Sequence, residues 1–151
     1  SGLESTIIDC TGDIARLLRP GGITRDALAA ALATANCNPQ IDMAEPLADS
    51  ENPVAPGQLA SHYAPNAPVR LMANTSAADE ELIGFGAVSG AGKLALNLSP
   101  SADLVEAAAN LFSMLHAVDT ADIAKIAIAP IPDIGLGEAI NDRLRRAAAP
   151  R

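Results

Sequence analysis

Aromatic side chains are nearly absent: the 151 residues include no tryptophan, one tyrosine and two phenylalanines. A core built on ring packing is therefore excluded. The hydrophobic residues, 49% of the chain, must fill it as Ala, Leu, Ile and Val. Such aliphatic cores suit short apolar strands layered under Ala-rich helices. Positive charge is scarce too, with ten Lys and Arg against eighteen Asp and Glu, for a formal net charge of −8. That surface repels phosphate backbones and anionic headgroups, which argues against direct nucleic-acid binding and against a membrane surface. No apolar run reaches membrane-spanning length, and no signal-peptide pattern opens the chain. Cys10 and Cys37 have no CxxC spacing and no histidine nearby, so they read as reduced structural thiols of a cytosolic protein. No spacing of His, Cys, Asp and Glu reads as a metal site.

What is present alternates between strand and helix signals. Thr6, Ile8 and Cys10 share one face of a short N-terminal strand. Pro20, Gly21 and Gly22 then end any regular element. Thr24 is a helix N-cap, with Ile23 and Leu28 placed as a hydrophobic staple, and the Ala-rich helix that follows stops near Asn36. From residue 39 to 68 periodicity disappears, and Pro39, Pro46, Pro53, Pro56, Pro65 and Pro68 mark an extended linker. Beyond it, Val69 to Met72, Leu82 to Val88, Leu94 to Leu98, and Ile126 with Ile128 are strand-like. A helix opened by Ser99-Pro100 or by Ser101 and running to about Val118 carries Leu104, Ala108, Leu111, Leu115 and Val118 as an apolar stripe. A last helix from about Gly135 places Leu136, Ile140, Leu144 and Ala147 on one face. This order predicts an α/β fold with a small parallel or mixed sheet flanked by helices.

Several motifs fail on inspection. Ser89 to Lys93 resembles the end of a P-loop, but Ala87 and Leu94 replace the required Gly and hydroxyl residue, and a turn is the simpler reading. Gly135-Leu136-Gly137 lacks the third glycine of a dinucleotide fingerprint and reads as a tight helix entry. Asp79-Glu80-Glu81 reads as a solvated acidic face, and His116 as a surface histidine. Two stretches carry more. Gly2-Leu3-Glu4-Ser5-Thr6-Ile7-Ile8-Asp9 followed by Leu18-Arg19-Pro20-Gly21 sets hydroxyls at a strand start near an arginine able to pair a phosphate. Pro56-Gly57-Gln58-Leu59-Ala60-Ser61-His62-Tyr63-Ala64-Pro65 holds the single tyrosine inside the linker.

Together with Gly135-Leu136-Gly137-Glu138-Ala139-Ile140-Asn141-Asp142-Arg143-Leu144, these stretches resemble, in order, the threonylcarbamoyl-AMP synthases that join a YrdC-like catalytic domain to a smaller C-terminal domain. The resemblance implies three parts: residues 1–38 as the end of the YrdC-like domain, 39–68 as the interdomain linker, and 69–151 as a Rossmann-like C-terminal α/β domain. It implies a nucleotidyltransferase that forms threonylcarbamoyl-AMP and pyrophosphate from L-threonine, bicarbonate and ATP, with Mg2+ accompanying the ATP. The product would pass in the cytoplasm to partner proteins that modify adenosine in tRNA. Residue by residue, it implies that Ser5 helps bind threonine and that Arg19 and Tyr63 contact ATP; no catalytic residue is assigned. The family's main pocket lies upstream of these motifs, so the chain, which opens at Ser1, is expected to be a carboxy-terminal fragment without activity of its own. Two alternatives are a non-enzymatic domain that positions the linker over a catalytic domain, and a free-standing nucleotide-binding domain. The hydrogenase-maturation carbamoyltransferases share the YrdC-like domain but are expected to lack the Ser61-His62-Tyr63 linker and the closing signature.

Overall fold

A computed structural model of the chain describes residues 2–43 and 65–149. Two three-stranded sheets and three helices make up these residues.

The N-terminal sheet runs β1-β2-β3, with β1 (Ile7–Asp9) antiparallel to β2 (Ala15–Arg19) and β3 (Ile41–Met43) parallel to β2. Helix α1 (Arg25–Thr34) connects β2 to β3 and starts where expected: the Thr24 hydroxyl accepts the Ala27 amide at 3.3 Å. Ala15, Leu17 and Ile41 form a small core under Ile8, Leu28, Ala29 and Leu32. Two strands here differ from the sequence reading. Ala15–Arg19 is a strand where the sequence offers only the Pro20-Gly21-Gly22 stop, and its Ala15, Leu17 and Arg19 alternate inward with exposed or half-buried neighbours. Ile41–Met43 lies inside the stretch read as linker; only Ile41 is buried, which left too little pattern to see.

The second sheet is wholly parallel in the order β4-β6-β5, from β4 (Val69–Arg70), β5 (Glu81–Ile83) and β6 (Ile126–Ile128). Helices α2 (Leu104–Thr120) and α3 (Leu136–Ala147) pack with it around one aliphatic core. On α2 the buried residues are Ala107, Ala108, Leu111, Leu115 and Val118, close to the expected stripe; Leu104 lies at its partly buried edge. Asp103 caps the helix by accepting the Val105 and Glu106 amides. Leu94 to Leu98 is not a strand. It is a chain of turns held by isolated bridges, Leu82 to Ala91 and Gly84 to Asn97. Its period-two leucines are satisfied because Leu98 is buried while Leu94 and Leu96 pack on the core edge.

The acidic run departs most from expectation. Glu81 is only 2% exposed and accepts the Leu94 amide and, at 2.7 Å, the Ala95 amide. Ala95 takes a left-handed φ of 49° to present that amide. The two amides that follow the turn resembling a P-loop are thus occupied by an internal carboxylate. Asp79 and Glu80 are paired instead with Lys125 and Arg70.

The N-terminal segment is seated on the second layer. Leu3 joins the main core, and Gly2 meets α2 so closely that a Cβ there would lie 2.2 Å from the Ala108 carbonyl oxygen. Arg25 of α1 pairs with Glu138 of α3 at 3.2 Å. Cys10 and Cys37 are free and exposed. They take no part in the core, so the structural role expected of them does not hold. Among the described residues, no helix is long and apolar enough to cross a membrane.

Candidate functional site

The β1/β2 pairing sets Ile7 opposite Arg19, which brings the chain just before β1 alongside the end of β2. The Pro20-Gly21-Gly22 turn then folds back on it. The Gly22 amide donates to the Glu4 carbonyl at 2.9 Å, and a Cβ on Gly21 would lie 2.4 Å from that same oxygen. Thr6 closes the turn, its hydroxyl donating to the Ile23 carbonyl at 2.8 Å and accepting the Ile23 amide at 3.0 Å.

Within this clasp Arg19 is held at three points. Its Nε donates to the Ser5 carbonyl at 3.1 Å, its Nη2 to the Ser5 hydroxyl at 2.8 Å, and its Nη1 pairs with the Glu4 carboxylate at 2.7 Å. A second guanidinium arrives from α3: Arg143 pairs with the same Glu4 oxygen. The Arg19 and Arg143 side chains are only 8% and 3% exposed, while Glu4 is at 23%. Two cations therefore share one carboxylate beside an exposed serine, in surroundings that screen charge weakly. The arrangement suits a polyanion, which an arginine fork can hold while remaining charged.

Of the three residues expected to bind ligands, Ser5 and Arg19 are in direct contact. Tyr63 lies outside the described residues, as do Ser61 and His62. Glu4 and Arg143 stood inside the quoted motifs without a role. The signal for Arg143 was its place on the apolar stripe of α3, three positions from Ile140 and four from Ala147. A charged residue on a core-facing stripe needs a buried partner.

No other feature of the described residues competes as a reaction centre. His116 is exposed on α2, and no three residues among His, Cys, Asp and Glu are grouped to hold a metal ion. Gly137 fits α3 against its own entry loop, where a Cβ would lie 1.8 Å from the Pro132 carbonyl oxygen, and its amide bonds Ile134. The glycine pair thus serves close packing. A shallow groove of about 300 Å³ at the carboxyl ends of β4 and β6 is floored by Leu71, Ala129, Ile131 and Leu144 and rimmed by Asp133 and Arg145.

The family model described as threonylcarbamoyl-AMP synthase, C-terminal domain, matches residues 23–149. A curated Bacillus subtilis protein named threonylcarbamoyl-AMP synthase is 32% identical over 99% of this chain and 46% of its own length. A Pyrococcus abyssi protein of the same name is 30% identical over 99% of this chain and 47% of its own. The chain thus spans about half the length of these relatives. The crystal structure of P. abyssi Sua5 complexed with L-threonine superposes with a TM-score of 0.72 at 26% identity, covering 97% of this chain and 46% of that one.

Proposed function

The chain belongs to the family of threonylcarbamoyl-AMP synthase C-terminal domains, and from that membership we propose that it forms the carboxy-terminal part of an L-threonylcarbamoyladenylate synthase. The complete enzyme joins L-threonine, bicarbonate and ATP into threonylcarbamoyl-AMP, with loss of pyrophosphate, for transfer to a tRNA adenosine. One observation carries the proposal: the buried Arg19 fork is braced on both the carbonyl and the hydroxyl of Ser5. A cation fixed beside a hydroxyl is what a phosphate next to a small polar substrate requires.

In this reading Ser5 binds threonine, Arg19 meets the phosphates, and Tyr63 reaches the same ATP from the linker. The P. abyssi structure with bound L-threonine supports threonine as the amino-acid substrate. Magnesium would accompany the ATP, held by its phosphates, and would supply charge neutralisation there. Arg19 orients the polyphosphate and stabilises the charge that shifts to the leaving pyrophosphate. The product leaves for partner proteins that carry out the tRNA step, in the cytoplasm. The site is one flank of a pocket whose remaining walls belong to a YrdC-like domain, so the 151-residue chain alone is inactive.

Pyrophosphate release from threonine, bicarbonate and ATP tests this reading, using a longer protein that carries this chain behind a YrdC-like domain. Threonine-dependent release that is lost in Arg19→Met supports it; release independent of threonine overturns it.

A further inference from the structure

We propose that Arg143, on the C-terminal helix, is a positioning residue for the nucleotide site: it shares the Glu4 carboxylate with Arg19 and so keeps the Arg19 cradle net positive. The inference rests on the reading that Arg19 meets ATP, and it adds a residue on another layer, 139 positions from Glu4.

The electrostatics are simple. Guanidinium groups stay protonated at any working pH. Glu4 contributes one negative charge and Arg19 and Arg143 two positive ones, so the cluster carries a net charge of +1. Without Arg143, Glu4 would pair with Arg19 alone and the cluster would be neutral. An approaching polyphosphate would then have to compete with Glu4 for a guanidinium already matched. Because both arginine side chains are almost fully buried, this difference is poorly screened by salt.

Two further observations favour a role beyond stability. Arg143 stands on the buried face of α3 with Ile140, Leu144 and Ala147, where an aliphatic side chain would pack without desolvating a charge. Its Nη1 is also buried with no hydrogen-bond partner among the described residues. A residue kept only for folding gains nothing from an unsatisfied buried donor. The C-terminal layer is thereby tied electrically, as well as sterically, to the segment before β1 that carries Ser5.

The test measures the KM for ATP in the longer protein that carries this chain behind a YrdC-like domain. Arg143→Gln is expected to raise it about tenfold, equivalent to about 1.4 kcal/mol of lost binding. Arg143→Lys keeps the charge and is expected to stay within about threefold of the parent. Glu4→Gln combined with Arg143→Gln restores the net charge with two neutral amides, and is expected to recover most of the loss. A parental KM in Arg143→Gln overturns the proposal, as does a double variant no better than the single. Should Arg143→Gln fail to fold, the Lys variant and the double variant decide: a tenfold loss in both overturns it, and retention within about threefold supports it. An Arg19→Met enzyme with parental KM for ATP would instead sink the underlying reading of Arg19.

Discussion

The Glu81 carboxylate accepts the backbone amide of Ala95 at 2.7 Å across 14 positions, and with it the amide of Leu94. One buried acid thus closes the turn that follows β5. Gly92, at φ 119°, is shaped around it: a Cβ there would lie 2.5 Å from Glu81 Oε2.

Replacing Glu81 with Ala would leave those amides without their acceptor and vacate a buried site. The expected loss of stability is about 2–4 kcal/mol, with Glu81→Gln costing less because one oxygen still accepts. Urea unfolding followed by circular dichroism measures it. A change below about 0.5 kcal/mol, typical of an open surface position, would return Glu81 to the solvated face that the sequence suggested.

The neighbouring Glu80 supplies an acid-sensitive contact. Arg70 donates to both of its oxygens, at 3.0 and 2.6 Å, and the Ala77 amide adds a third bond. These bonds hold its carboxyl at about 2, below its ordinary 4.5. A lowered folded-state value means the stabilisation is complete above pH 4.5 and is lost as pH falls toward 2. Asp79, bonded to Lys125, and Asp9, bonded to Thr11 and Arg16, are lowered in the same direction. Urea midpoints recorded between pH 7 and pH 2 should decline through this window, less steeply in Glu80→Gln than in the parent. Identical acid limbs would show that the pair contributes nothing.

Gly137→Ala would force a Cβ to within 1.8 Å of the Pro132 carbonyl oxygen. Backbone must move, and the expected cost is about 2–4 kcal/mol. Thermal unfolding checks this. A variant as stable as the parent would reopen a ligand-binding role for the glycine pair.

The sequence made the aliphatic layers legible because long elements repeat their pattern. Helix α2 shows four turns of periodicity, and Thr24 declares the start of α1 by chemistry that needs only local partners. Short elements were less visible. Three residues of β3 carry one buried side chain, and the leucines from 94 to 98 mimic a strand while lying in turns. Long-range pairing was invisible in principle. Nothing within a few residues of Glu81 announces the amides it serves, and Glu4 and Arg143 meet only because Leu3 docks in the α2/α3 core. Within the site, Ser5 and Arg19 were named from the order of motifs. Their mutual hydrogen bonds needed the β1/β2 register to appear.

Side-by-side pyrophosphate release bears most directly on the proposal that this chain is one flank of a synthase pocket. The preparations are the isolated 151-residue chain, the longer protein carrying a YrdC-like domain before it, and that protein with Arg19→Met. Each receives threonine, bicarbonate and ATP. The predicted result is threonine-dependent release by the longer protein, a fall of at least about a hundredfold (about 2.7 kcal/mol) on losing Arg19, and none from the isolated chain. Turnover by the isolated chain, or release that is indifferent to Arg19, would contradict it.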